Sequence, residues 1–167
     1  MTTRIRDFLR NRNDDGPCLV VDLDVVRENY LGFAKALPDT RVFYAVKANP
    51  APEVLSLLAG LGSCFDTASV AEIEMVLAAG AMADRISFGN TIKKERDIAR
   101  AFALGVRLFA VDCKAEVEKI ARAAPEHTVS KRRDSQGGQC CDERGGGHER
   151  PRAVGARKPI LDRKSVV

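Results

Sequence analysis

Several residues of this chain could carry chemistry because each follows a short apolar run that is typical of a buried strand. Lys47 ends the run "VFYAVK", Asp66 ends "SCFD", the pair Gly89 and Asn90 follows "RISF", and Asp112 ends "RLFAVD". Parallel α/β proteins bring the carboxyl ends of their strands together at one face, where their chemistry is found. A lysine and an aspartate on neighbouring strand ends could therefore share a pocket, and this pair suits covalent catalysis through an amine.

Lys47 is the candidate nucleophile, since an amine that emerges from a buried strand is partly desolvated and can lose its proton. Asp66 or Glu72 could accept and return that proton. Each residue also has a simpler interpretation. Lys47 fits a solvated lysine at a strand end, Asp66 fits a turn or capping aspartate, and Glu72 fits the partner of Ser69 in a capping box. The spacing leaves both interpretations open.

The elements that must position these residues alternate regularly. The predicted strands end at Lys47, Asp66, Gly89 and Asp112, at intervals of 19, 23 and 23 residues. Each is followed by a helical pattern, and these read "APEVLSLLAGLG", "SVAEIEMVLAAGA", "KKERDIARAFALGV" and "KAEVEKIARAAP". This alternation predicts a parallel sheet covered by helices. It fits a β/α barrel or a doubly wound sheet and does not decide between them.

Before this alternation the chain has one more strand pattern and one more helix pattern. The run "CLVVDLD", residues Cys18 to Asp24, predicts a strand because it is rich in β-branched residues and follows a Gly-Pro pair. The stretch "DVVRENYLGFAKAL" predicts a helix, with Asp24 as its N-cap. At 167 residues the chain suits one ordinary domain. It is too short for a closed eightfold β/α barrel, which takes about 250 residues.

The C-terminal tail differs from the rest of the chain. The net charge of +4 comes from this tail, because residues 131–167 hold ten of the 27 Lys and Arg but five of the 23 Asp and Glu. No aromatic residue follows Phe109. Such a composition predicts disorder over residues 126–167. We interpret the tail as non-native sequence, since an out-of-frame G/C-rich gene yields Arg and Gly in this way, and a common sequencing adapter can encode the final "DRKSVV".

The remaining composition argues against several kinds of site. His148 and the adjacent pair Cys140 and Cys141 lack the spacer of a metal site, so no metal is predicted. The basic tail has the charge for nucleic acid but no aromatic residues for stacking, so no nucleic-acid partner is predicted. No apolar run approaches the roughly 18 residues of a membrane span, and the first residues have no apolar signal core. We therefore expect a cytoplasmic protein with no membrane partner.

Three ordered blocks of the sequence resemble the fold-type III pyridoxal-phosphate decarboxylases, the ornithine and diaminopimelate decarboxylase family. "YAVKANP" resembles the segment that carries the cofactor lysine, and "CFDTASVAEIE" resembles the next block of the ornithine branch. "ISFGNTIKKERDIARAFALGVRLFAVD" resembles the block after that. The resemblance runs from about Cys18 to Ala124.

The resemblance implies a β/α (TIM-type) barrel rather than a doubly wound sheet. Residues 25–125 would form the N-terminal half of a pyridoxal-phosphate-binding barrel. Residues 1–24 would contribute the strand "CLVVDLD" to a second β domain that C-terminal sequence completes. After Ala124 the family's next strand pattern does not follow, so the resemblance implies an inactive fragment whose further cofactor-holding residues are absent.

The resemblance also implies a site and an activity. Lys47 would form the internal aldimine with pyridoxal 5'-phosphate, Ala45 would lie beneath its ring, and Asp66 and Glu72 would line the cofactor pocket. The activity would be decarboxylation of the amino acid L-ornithine to putrescine, in polyamine biosynthesis, by a cytoplasmic homodimer. The "FDTAS" form favours ornithine. Diaminopimelate or lysine decarboxylase and a non-catalytic decarboxylase-like regulator are the alternatives.

Overall fold

A computed structural model describes residues 1–131, with the side chains of residues 1–129. In that part of the chain six α-helices and five strands follow one another. The helices are α1 (Thr3–Asn11), α2 (Leu23–Ala36), α3 (Pro52–Gly60), α4 (Val70–Ala78), α5 (Glu95–Ala103) and α6 (Lys114–Ala123). The strands are β1 (Phe43–Ala45), β2 (Cys64–Thr67), β3 (Ile86–Phe88), β4 (Leu108–Val111) and β5 (Thr128–Lys131). Among the described helices, none combines the length and the apolar character needed to cross a bilayer.

The five strands form one sheet in the order of the chain, β1-β2-β3-β4-β5. Every neighbouring pair is parallel, and one helix connects each strand to the next. A doubly wound sheet reverses its strand order at a switch point, whereas a β/α barrel adds each strand beside the last. Residues 43–131 contain no such reversal, so the strand order is that of a barrel and not of a doubly wound sheet.

The core lies between the sheet and the helices that cover it. The side chains of Phe65 and Phe109 are fully buried, and the rings of Phe88 and Phe109 lie 6.3 Å apart on neighbouring strands. Each such side chain contributes about 1.5–3 kcal/mol by leaving water. The core also includes the following helical side chains: Val54, Leu55, Leu58, Ile73, Val76, Ile98, Ala101 and Ile120.

Local signals in the sequence place the ends of the helices. The Ser69 side chain accepts a hydrogen bond from the Glu72 N–H at 3.3 Å, so the predicted cap begins α4. Gly105 follows α5 with a φ of 95°, and its N–H donates to the Phe102 carbonyl at 3.0 Å. This left-handed conformation favours glycine and ends the helix where the sequence predicted.

The predicted strand "CLVVDLD" is not formed. Residues 17–22 are neither helix nor strand, and Leu19 is 85% exposed. A strand needs a neighbouring strand to take its backbone hydrogen bonds, and residues 1–131 provide none beside this segment. The following helix therefore begins at Leu23, with Asp22 instead of Asp24 as its N-cap.

The strand pattern also continues further than the sequence suggested. Thr128–Lys131 pairs with β4, beginning at Leu108 opposite Thr128, although the expected tail started at residue 126. Val129 packs against the core, and this contact accounts for a strand within an otherwise polar segment. The rest of the predicted tail, including Cys140, Cys141 and His148, lies outside the described residues.

Candidate active site

Lys47 lies in a short 3₁₀ turn that directly follows β1. Val46, beside it in the turn, is fully buried and anchors the turn in the core. The Tyr44 hydroxyl donates a hydrogen bond to the Asn49 carbonyl at 3.1 Å, which ties the strand to the residues after the turn. Lys47 is thus held at the carboxyl end of β1, one turn beyond the strand that was expected to carry it.

The side chain of Lys47 is exposed, whereas its position after a buried strand predicted partial desolvation. β1 is the first strand of the sheet, and within residues 1–131 no strand pairs with its outer side. The part of the chain that the structure describes therefore places the amine but does not remove it from water.

A cavity of about 120 Å³ opens at the carboxyl ends of β1, β2 and β3. Its lining residues are Ala45, Lys47, Asp66, Thr67, Ala68, Glu72, Gly89, Asn90 and Thr91. All four residues proposed from the sequence are among them. Strand register places Asp66 centrally among them, since Ala45 lies opposite Asp66 and Asp66 lies opposite Ser87 on strands about 4.8 Å apart.

Other residues of the cavity were only partly foreseen. The sequence places the pair Gly89 and Asn90 at a strand end, and in the structure both residues line the same cavity as Lys47. Thr67 and Thr91 were missed, because neither is charged and neither stands at a predicted strand end. Asp112, the fourth strand-end position, is not among the lining residues.

Asp66 lies directly against Gly89. A Cβ added at Gly89 would come within 1.9 Å of the Asp66 Oδ1, closer than any real contact. The Gly89 N–H donates to the Thr67 carbonyl at 2.8 Å, so the backbone there is fixed. A glycine at this position therefore allows the half-buried Asp66 carboxylate to lie across the end of β3.

Glu72 combines the two roles that the sequence left open. Its Oε2 accepts a hydrogen bond from the Ala68 N–H at 2.6 Å, while its own N–H donates to Ser69. In a capping box the glutamate side chain would accept from the N–H of the N-cap residue, Ser69. Here it accepts from the N–H of Ala68, the residue before the N-cap. The carboxylate also lines the cavity, so capping α4 and serving the site are compatible.

Comparison with known proteins decides the family. Residues 23–150 match the family model described as "Pyridoxal-dependent decarboxylase, pyridoxal binding domain". The chain belongs to this family. The match continues beyond Ala124, where the resemblance seen in the sequence motifs ended, and into residues outside the described part.

Two relatives of this decarboxylase domain illustrate the similarity. The lysine/ornithine decarboxylase of Selenomonas ruminantium is 46% identical over 109 residues, which are 65% of this chain and 28% of the relative. The chloroplastic ornithine decarboxylase of Nicotiana glauca is 46% identical over 115 residues, 69% of this chain and 27% of the relative. The chain thus spans little more than a quarter of the length of these relatives.

A solved structure supports the fold. The crystal structure of SrLDC in complex with PLP and cadaverine is similar with a TM-score of 0.70 and 41% identity, over 79% of this chain and 34% of that one. Together with the strand order, this likeness confirms the prediction of parallel strands from a TIM-type β/α barrel.

Pyridoxal phosphate is the cofactor of this family, and the cavity has groups that fit its ring end. Lys47 offers an amine for the aldehyde, and Asp66 and Glu72 offer carboxylates to balance positive charge. Ala45 is a small residue and brings little bulk to the lining, while Gly89 admits the Asp66 carboxylate to the cavity. Among the described lining residues, Lys47 is the one cation.

Proposed function

We propose that the protein containing this domain decarboxylates L-ornithine to putrescine with pyridoxal phosphate, in polyamine biosynthesis. One observation carries the proposal: Lys47, Asp66 and Glu72 line a single cavity at the carboxyl ends of the barrel strands. The names of the two relatives and the "FDTAS" block support ornithine, while the lysine/ornithine relative makes lysine the alternative substrate.

The four lining residues proposed from the sequence would each contribute to this reaction. Bound pyridoxal phosphate supplies an electron sink for the electron pair that departing carbon dioxide leaves behind. Lys47 would hold the cofactor through its Nζ and, once the substrate amine has displaced it, move a proton to and from the reacting carbon. Asp66 or Glu72 would accept a proton from the Lys47 amine and return it. Ala45 would support the ring from below.

The role of Lys47 is tested by borohydride reduction of the whole protein with pyridoxal phosphate, followed by peptide mass mapping. We expect a stable cofactor adduct at Lys47. Lys47→Arg should abolish that adduct and lower the decarboxylation rate by at least about 100-fold, the usual contribution of a positioned proton donor. Lys94→Arg is the matched control, because Lys94 is exposed and does not line the cavity.

The same preparations test the reaction and its substrate. We expect a higher kcat/KM for ornithine than for lysine or diaminopimelate, and a reversed order would replace the substrate in the proposal. If Lys47 forms no adduct and no amino acid is decarboxylated, the chain belongs to a non-catalytic regulator and the proposal is wrong.

We also propose that the whole protein is a cytoplasmic homodimer. This proposal is supported by the resemblance of the sequence to the decarboxylase family. Sedimentation of the whole protein at micromolar concentration should give twice the mass of one chain, and a monomer would contradict this.

A further inference from the structure

A second lysine, Lys93, lies behind the cavity with its charge buried. The residue is 4% exposed, and its Nζ donates hydrogen bonds to three backbone carbonyls. These belong to Asn90 at 2.7 Å, Thr91 at 3.3 Å and Ala110 at 2.6 Å. The Nζ also lies 5.7 Å from the centre of the Phe88 ring. A buried ammonium is costly unless it is hydrogen-bonded, and each of these contacts offsets part of that cost.

Two side chains of helix α6 form hydrogen bonds with the backbone of Lys93. The Lys93 N–H donates to Glu116 Oε2 at 3.3 Å, and the Lys93 carbonyl accepts from Lys119 Nζ at 2.7 Å. Lys119 also forms an ion pair with Glu116, which is 5% exposed. Both the side chain and the backbone of Lys93 are therefore fixed from neighbouring elements.

The carbonyls that Lys93 binds belong to two different parts of the barrel. Asn90 and Thr91 lie in the loop after β3 and line the cavity, whereas Ala110 lies in β4 and does not. The loop, residues 89–93, contains neither helix nor strand. A single ammonium thus connects the loop of the cavity to the next strand of the sheet.

We propose that Lys93 is a positioning residue of the cofactor site: its buried ammonium fixes the loop of residues 89–93 against β4 and so places Asn90 and Thr91 at the cavity. Lys93 does not line the cavity itself and acts through the loop. The effect on cofactor binding rests on the proposed function, since it requires the cavity to bind pyridoxal phosphate. The effect of Lys93 on the position of the loop is independent of the proposed function.

The first test is amide hydrogen exchange of the cofactor-free whole protein carrying Lys93→Met, which keeps the apolar stem and removes the ammonium. We expect exchange at residues 89–93 to become at least about tenfold faster, because without the ammonium the loop opens more often and exposes amides such as the hydrogen-bonded Gly89 N–H. Exchange in α3 and β1 should change little. Lys94→Met is the control, because Lys94 is the next residue in the chain and its side chain is exposed.

The second test is the dissociation constant of pyridoxal phosphate, measured by absorbance titration. Lys93→Met should raise it at least about tenfold, and Lys94→Met should leave it unchanged. If Lys93→Met does not fold, Lys93→Gln keeps a side-chain donor on a shorter stem while removing the charge. It should accelerate exchange in the same loop by a smaller factor.

The outcomes separate this inference from the proposed function. Unchanged loop exchange in the folded variant overturns the inference. Faster exchange spread evenly over the sheet, with an unchanged dissociation constant, also overturns it, because that result shows a purely structural lysine. If the unmodified protein binds no pyridoxal phosphate, the proposed function is wrong. Amide exchange at residues 89–93 of Lys93→Met still shows in that case whether Lys93 holds the loop.

Discussion

The contact between Gly89 and Asp66 is a constraint at the scale of single residues. No side chain fits at position 89 unless the Asp66 carboxylate moves. The sequence showed a glycine at a strand end, but the need for glycine comes from an aspartate 23 residues earlier on the neighbouring strand. Strand register brings the two together, and register is not visible in either local stretch.

We predict that Gly89→Ala lowers the free energy of unfolding by about 1–3 kcal/mol, the usual effect of overpacking. It should also weaken cofactor binding, because Asp66 leaves its place in the cavity. Urea unfolding and absorbance titration measure the two effects. Gly60→Ala is the control, since nothing lies within 4 Å of a Cβ there and alanine favours the end of α3.

A double-variant cycle shows whether Asp66 is the cause. In an Asp66→Ala background the cost of Gly89→Ala should fall, because the clashing carboxylate is gone. An equal cost in both backgrounds would show that the alanine disturbs the backbone instead.

At the scale of elements, the start of α4 links helix stability to the cavity. Ser69 caps the helix, and Glu72 joins the cap while it lines the cavity. The sequence predicted this cap because it depends on residues three positions apart. It could not predict that the Glu72 carboxylate also reaches the cavity, since that depends on how α4 packs against the sheet.

We predict that Ser69→Ala destabilises the protein by about 1 kcal/mol, the typical cost of losing an N-cap. Thermal unfolding checks this, with Ser56→Ala as the control because Ser56 is exposed within α3. The Ser56 variant should be neutral or slightly stabilised. Equal effects of the two substitutions would mean that the Ser69 hydroxyl contributes nothing as a cap.

At the scale of the whole molecule, the described sheet is open at both edges. β1 and β5 each pair on one side within residues 1–131. Apolar side chains are exposed as well, among them Leu19, Leu31 and Phe33. Open edges and exposed apolar surface favour association with other chains. The exposure of Leu19 is also what we expect if, as the family resemblance implies, residues 1–24 contribute a strand to a second β domain.

We predict that a polypeptide limited to residues 1–131 associates or aggregates and does not decarboxylate ornithine. Light scattering across a concentration series measures the association, and the whole protein serves as the control. A monodisperse, cooperatively unfolding and active segment would contradict this prediction and would show that the described part suffices.

The sequence by itself determined the alternation of strands and helices from Val42 to Ala124, most of the helix ends and, to within two residues, the ends of β1 to β4. These features depend on neighbouring residues: apolar periodicity, the Ser69 cap and glycines such as Gly105. Because parallel strands share one functional face, the strand ends also predicted that Lys47 and Asp66 would share a pocket.

Only the tertiary structure decided the rest. It placed Lys47 on an exposed turn, left "CLVVDLD" without a strand partner within residues 1–131 and added β5 through the packing of Val129. It also buried the Lys93 ammonium against the carbonyl of Ala110. These outcomes depend on which segments become neighbours in space. A strand forms only beside another strand, and a buried charge persists only where the fold supplies its hydrogen-bond partners.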